Sequence, residues 1–192
     1  MSAQAPTRKP RADSQRNRER LLAAAKAGFT ERGAEVSLEE IARGAGVGIG
    51  TLYRHFPTRE ALIEAVYRRE VRNLGDAADR LAGEFPPGEA LRRWMVLFID
   101  YIATKKVIAA TLEALVGGGS DLYAASSVQI TSAVTRLVEA AAAAGDIRAD
   151  VQPEDVLRAL VGFAYGHAQP GWRESALRLV EILMDGLRPQ RR

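Results

Sequence analysis

Apolar and polar positions follow the 3.6-residue rhythm of helices from end to end, and no segment keeps the period of two of a half-buried strand. Leu21, Leu22, Ala25 and Phe29 mark one face of a first helix, expected from about Ser14 to Arg32 and closed by Gly33, a typical C-terminal stop. Ser37-Leu38-Glu39-Glu40 has the form of a capping box, in which Ser37 accepts from the Glu40 amide and Glu40 reaches back. A second helix follows from Leu38 and stops near Gly44 to Gly46; a third, short one fits Ile49 to His55. Pro57 closes it, and Thr58 can cap a fourth helix carrying Ala61, Leu62, Ala65, Val66 and Val71.

Pro86-Pro87-Gly88 makes the next break. A helix from Glu89 to about Thr104 has Leu91, Trp94, Met95, Phe98 and Ile102 on one side, and a short helix from Lys106 to Val116 is expected after it. Ser120 or Asp121 can cap a long helix to Ala144, with Gly145 as its stop. Pro153 suits the first turn of a helix to about Ala168, and after Pro170-Gly171 a last one runs from Trp172 to Leu187. The fold class is all-α with about nine helices and no internal repeat. Gly117-Gly118-Gly119 reads as a helix connection, because no strand precedes it and no Lys-Ser/Thr follows at phosphate-loop spacing.

Composition narrows the chemistry. At 192 residues the chain can bury a real core without staples. It has no Cys, which removes disulfides, thiolate metal sites and a Cys nucleophile, and its two His lie far apart, which argues against zinc. No cofactor and no metal are expected. No apolar run approaches the ~18–20 residues of a membrane span, and the first twenty residues have no apolar signal core, so a cytoplasmic protein without membrane contact is expected. Charge is unevenly spread. Residues 1–72 hold 14 Lys/Arg and 9 Asp/Glu, whereas the remainder is mildly acidic. This split suggests a polyanion-binding part joined to a part with another task. Residues 1–13 are expected to be a disordered basic tail that could touch phosphates.

The most informative segment is Ser37 to Arg59. Leu38, Ile41, Ala42 and Ala45 give its first helix an apolar face, Gly46 sits at the turn, and Leu52 and Phe56 point the next helix at the same core. This is the layout of a helix-turn-helix, which presents its second helix to the major groove. Ile49, Gly50, Thr51, Tyr53, Arg54 and His55 are left facing outward, and no acidic residue lies between Glu40 and Glu60. A merely solvated face would carry Glu and Lys. Thr51 and Tyr53 offer hydroxyls to phosphates, Arg54 could read guanine, and Ile49 could touch a thymine methyl. Arg59 lies near the start of the next helix, where backbone amides also favour anions. The plainer alternative is that Tyr53 or His55 simply packs.

Gly-Val-Gly-Ile-Gly-Thr-Leu-Tyr-Arg-His-Phe-Pro-Thr-Arg-Glu-Ala-Leu (46–62) resembles the recognition-helix signature of TetR/AcrR-family transcriptional regulators, and the resemblance covers residues 15–65. With Tyr-Arg-Arg-Glu-Val and the late Pro-Gly-Trp, it also resembles the subset whose C-terminal domain is related to SbtR. The resemblance implies a DNA-binding domain over 14–60 and an effector-binding and dimerisation domain over 61–192. It implies DNA contacts from Ser37, Gly48, Ile49, Gly50, Thr51, Tyr53, Arg54, His55, Thr58 and Arg59. Gly48 departs from the pattern, since many relatives carry Ser or Thr there, and the side-chain cap is lost.

For the rest of the chain the resemblance implies a cavity for a small-molecule effector. Trp94, Phe98, Tyr101, Leu112, Leu115, Tyr123, Phe163 and His167 are candidates to line it, although aromatics at helical spacing serve equally as core. Two late apolar stripes suggest a homodimer joined by a four-helix bundle: Leu157, Leu160 and Val161 in one helix, and Trp172, Ala176, Leu179, Val180, Leu183 and Leu187 in the next. Burial against the chain's own core is the competing reading. The expected function is a ligand-responsive regulator, most simply a repressor released from a double-stranded DNA operator. The rivals are a protein-interaction module whose helix-turn-helix reads no DNA and an all-helical enzyme. The enzyme has little support, with no GxSxG, no phosphate loop and no close His–carboxylate pair.

Overall fold

A computed structural model of the protein describes residues 9–33, 35–116, 121–165 and 171–189. Among the described residues there are eight helices and no strand: α1 (Lys9–Arg32), α2 (Leu38–Gly44), α3 (Ile49–His55), α4 (Arg59–Glu84), α5 (Pro87–Val116), α6 (Asp121–Ala143), α7 (Pro153–Tyr165) and α8 (Trp172–Leu187). The chain forms two compact units. One holds α1–α3, α4 as far as Arg69, and residues 107–115 of α5; the other holds the remainder of α4 and α5 together with α6–α8.

Two expectations about helix limits are corrected. First, α1 begins at Lys9 rather than Ser14, so the last residues of the expected tail are helical. Pro10 is tolerated in a first turn because its missing amide would have no intrahelical partner there. The Asp13–Arg16 ion pair and the Gln15–Glu19 hydrogen bond of 3.2 Å then support the exposed turns. Second, the two helices expected on either side of residue 105 are one helix of 30 residues. Thr-Lys-Lys at 104–106 contains no breaker, and the buried Thr104 hydroxyl donates to the Asp100 carbonyl at 3.2 Å, which satisfies it inside a continuous helix. The expected end of α7 at Ala168 lies outside the described residues.

In the first unit, Leu21, Leu22, Ala25 and Phe29 of α1 are fully buried, and Ile41, Leu52, Phe56, Leu62 and Ile63 join them. In the second unit, Leu91, Trp94, Met95 and Ile99 of α5 are fully buried. The Trp94 indole N–H donates to the Leu74 carbonyl at 2.9 Å, so this large side chain is buried with its one polar atom satisfied. Three ties close one end of this unit. The Gly88 amide donates to Asp146 at 2.8 Å, Arg92 donates to Glu181 at 2.8 Å, and the Arg148 amide donates to the Leu187 carbonyl at 2.8 Å. No helix among the described residues is long and apolar enough to cross a membrane.

Candidate nucleic-acid interface

The candidate interface is built from the α2–turn–α3 segment and the start of α4. The capping box forms as expected: Ser37 Oγ accepts from the Glu40 amide at 3.2 Å, and the Glu40 carboxylate accepts from the Ser37 amide at 3.1 Å. These bonds from the Ser37 amide and hydroxyl hold the Glu40 carboxyl below its ordinary pKa. Arg32 also donates to Glu40 at 2.6 Å. The Ser37 hydroxyl is therefore committed to the start of α2.

The turn is closed by the Val47 amide, which donates to the Ala42 carbonyl at 3.0 Å. Gly46 adopts φ +64°, in the left-handed region that favours glycine. A Cβ there would also lie 2.5 Å from Nη2 of Arg20, whose guanidinium rests against the turn. Gly48 is the N-cap of α3 and supplies no side-chain bond, as its departure from the family pattern implied.

On α3, Leu52 and Phe56 are buried, while Gly50, Tyr53 and Arg54 are exposed and Ile49, Thr51 and His55 are half-buried. Tyr53 is 46% exposed, a high value for a large aromatic ring. A Cβ added at Gly50 or at Gly48 would meet nothing within 4 Å. Packing inside the chain therefore gives no reason for glycine at Gly50, although glycine costs a helix about 1 kcal/mol relative to Ala. Exposed Tyr53 and Arg54 and half-buried Thr51 stand near Gly50 on the same helix.

Thr58 caps α4, its Oγ1 accepting from the Ala61 amide at 3.1 Å. The amide of Glu60 itself, and then the Thr58 hydroxyl, lower the Glu60 pKa. Arg59 has structural contacts that its expected role did not foresee. Its Nη1 donates to the Val36 carbonyl at 2.8 Å, and its guanidinium carbon lies 5.8 Å from the Phe29 ring centroid. Sequence reasoning missed Arg18 and Arg20 as neighbours of α3. The Arg18 guanidinium carbon is 5.2 Å from the Phe56 ring centroid. The only sequence signal for the pair was the basic run that contains them.

The candidate effector residues divide. Trp94, Phe98, Tyr101 and Leu112 are buried, and the first three form a ladder of rings with centroids 5.6 and 5.7 Å apart. Tyr123 and Phe163 are half-buried, and the Lys105 ammonium lies 5.0 Å from the Tyr123 ring centroid. Leu112 belongs to the first unit and the other described candidates to the second. His167 and the Leu115 side chain lie outside the described residues. Two open grooves of about 280 Å³ in the second unit are lined by other residues, one including Arg92 and Glu181, the other Arg148 and Asp155.

The late apolar stripes also divide. Leu160, Ala176, Val180 and Leu187 are buried within the chain, so they pack the core and are closed to a partner. Leu157, Trp172, Leu179 and Leu183 are half-buried; Val161 is exposed, and so is Ile182, which the stripe did not include.

Comparison with known proteins agrees with this architecture. Residues 21–66 match the model of bacterial regulatory proteins of the tetR family, and residues 86–189 match the C-terminal domain of SbtR-like transcriptional regulators. The chain belongs to the TetR family. Its structure is similar to that of the TetR transcriptional regulator SCO0520 from Streptomyces coelicolor, with 51% identity, coverage of 91% of this chain and 99% of that one, and a TM-score of 0.83. A TetR regulatory protein from Mycobacterium vanbaalenii is 37% identical over 93% of this chain and 99% of its own, with a TM-score of 0.73. An uncharacterised HTH-type transcriptional regulator of Mycobacterium tuberculosis is 43% identical over 75 residues, which span 38% of this chain and 37% of that protein. This TetR-family chain is therefore matched along most of its length by solved structures, and over little more than a third by that curated relative.

Proposed function

We propose that this TetR-family protein is a cytoplasmic, homodimeric transcriptional repressor that binds a near-palindromic DNA operator and is released from it by a small-molecule effector. Residues 14–60 read DNA, and residues 61–192 bind the effector and the second copy. The observation that carries the reading is the outer face of α3. An exposed Tyr53 and Arg54 flank a glycine that nothing inside the chain requires. Each α3 would enter a major groove, with half-sites about one helical turn or a multiple of it apart (~34–36 Å). Arg54 and Ile49 read base edges, while Thr51 and Tyr53 fix position on phosphates.

The dimer contact falls to Leu157, Val161, Leu179, Ile182 and Leu183, which are among the apolar side chains of α7 and α8 that the chain itself leaves at least partly open. For the effector, the Trp94–Phe98–Tyr101 ladder offers an apolar wall. α4 is a single helix whose residues belong to both units. An effector changes operator affinity only by binding the released state more tightly than the DNA-bound one. Regulation rather than catalysis is the inferred task.

Mobility shifts test this with duplex enriched from a random-sequence pool by the wild-type protein. Arg54→Ala should relax preference at one base position per half-site, while Tyr53→Phe should weaken all sequences alike. Failure to enrich any sequence, or equal losses for both variants across all sequences, would overturn the assignment.

A further inference from the structure

The aromatic ladder of α5 ends in a cation. Trp94, Phe98 and Tyr101 follow one another at steps of four and three, and a further step of four on the same helix face reaches Lys105. The three rings are buried, whereas Lys105 is half-buried. Its ammonium lies 5.0 Å from the ring centroid of Tyr123 on α6, which is half-buried as well. All five side chains belong to the second unit. An apolar row is thus closed by a charge, and the charged end stays partly open.

Packing within the chain does not account for this charge. No acidic residue stands three or four positions from Lys105, the spacing at which α5 could supply an ion pair. Among the described residues no carboxylate pairs with it. Asp100, the acid nearest in sequence, is held by Arg173 at 2.6 Å. A tyrosine ring attracts an ammonium only weakly, while partial burial strips water from it. Leucine or methionine would fill the same place without that cost. Lys106 adds a second cation beside it. Its ammonium lies 5.6 Å from the Trp172 ring centroid on α8, and burial holds its pKa below the ordinary lysine value. This stretch of α5 is therefore electropositive.

We infer that the effector is a carboxylic acid with an apolar body, its carboxylate meeting the Lys105 ammonium and its body lying along the Phe98–Tyr101 end of the ladder. The inference rests on the effector-binding reading above and gives that effector its chemical class. Apolar walls supply most of the contact area in small-molecule sites, and a few polar groups fix the orientation. An ammonium acts as a compact point charge, so one of them at the end of the row suits a monoanion. The Lys106 ammonium faces a ring on a different helix and adds to the local field.

The test is calorimetric titration of the full chain with naphthoic, cinnamic and decanoic acids, each beside its amide and its amine counterpart. At least one acid should bind about 10–100-fold more tightly than its amide, the range for one hydrogen bond to a charged group. The same acid should release duplex enriched by the wild-type protein in mobility shifts. Lys105→Met keeps an apolar stem and removes the charge, so it should bring the acid down to its amide and leave the amide unchanged. Lys105→Arg should keep most of the preference. Thermal melts of both variants without ligand separate these losses from unfolding. An acid bound by the wild type no more tightly than its amide, an acid preference that survives Lys105→Met, or DNA release by an amide or amine in place of the acid overturns the inference alone. Failure of every compound, whatever its charge, to bind overturns it together with the effector-binding reading.

Discussion

Arg59 and Val36 stand 23 residues apart, and the Arg59 guanidinium donates to the Val36 carbonyl at 2.8 Å. The bond ties the start of α4 to the connection between α1 and α2, and the guanidinium also faces the buried Phe29 ring. Arg59→Ala should therefore lower stability by about 1–2 kcal/mol, the range for a charge-assisted hydrogen bond at a half-buried site. Thermal melts should show the loss, and sequence preference on DNA should stay unchanged. A variant that melts like the wild type while losing base discrimination would reverse the role given to Arg59.

Gly46 carries two separable penalties against a side chain. The positive φ costs an alanine about 1–2 kcal/mol, and the new Cβ meets the Arg20 guanidinium. Gly46→Ala should destabilise by at least that amount. Adding Arg20→Ala should recover the steric part and leave the backbone part. Chemical denaturation of both variants checks this, and identical midpoints would show that Arg20 swings aside without cost.

Gly50 separates stability from function. Because a Cβ there meets open space, Gly50→Ala should raise stability by up to about 1 kcal/mol. The same methyl group should weaken DNA binding by standing between α3 and the groove. A higher melting temperature with unchanged affinity would remove close approach as the reason for the glycine.

Glu89 accepts from Arg92 at 2.7 Å and from Arg93 at 2.6 Å, and these bonds, Arg92 foremost, lower its pKa from 4.5 to about 2. A carboxyl depressed in the folded state binds its proton more readily when unfolded. Its stabilisation is therefore complete above about pH 4.5 and is lost as pH falls towards about 2. Glu89→Gln should cost about 1 kcal/mol at neutral pH after solvent screening, and should flatten the stability profile between those pH values. Urea titrations across that range provide the measurement; a parallel profile in the variant would contradict the pairing.

Short-range chemistry made much of the first unit legible. Ser37, Gly46, Thr58 and the Leu52–Phe56 pair act within four residues of their partners, so sequence spacing alone located α2, the turn, α3 and the start of α4. Long-range pairings were not legible. The Arg59–Val36 bond and the Arg18–Phe56 contact join distant parts of the chain whose approach depends on packing. α5 was read as two helices because a Thr-Lys-Lys stretch looks like a polar break until the Thr104 hydroxyl finds the Asp100 carbonyl. The late stripes gave the apolar side of α7 and α8 without dividing it between the chain's own core and open surface. Leu160 and Val161 are neighbours in sequence, yet one is fully buried and the other is exposed.

The three ties at one end of the second unit have a mechanical consequence. Gly88–Asp146, Arg92–Glu181 and Arg148–Leu187 pin the first two turns of α5, the connection after α6 and the second half of α8 to one another. Helices clamped at one end swing like levers, with a displacement that grows with distance from the pin. Any ligand-driven rearrangement of this unit should then leave those three junctions still and appear at the opposite ends of the same helices.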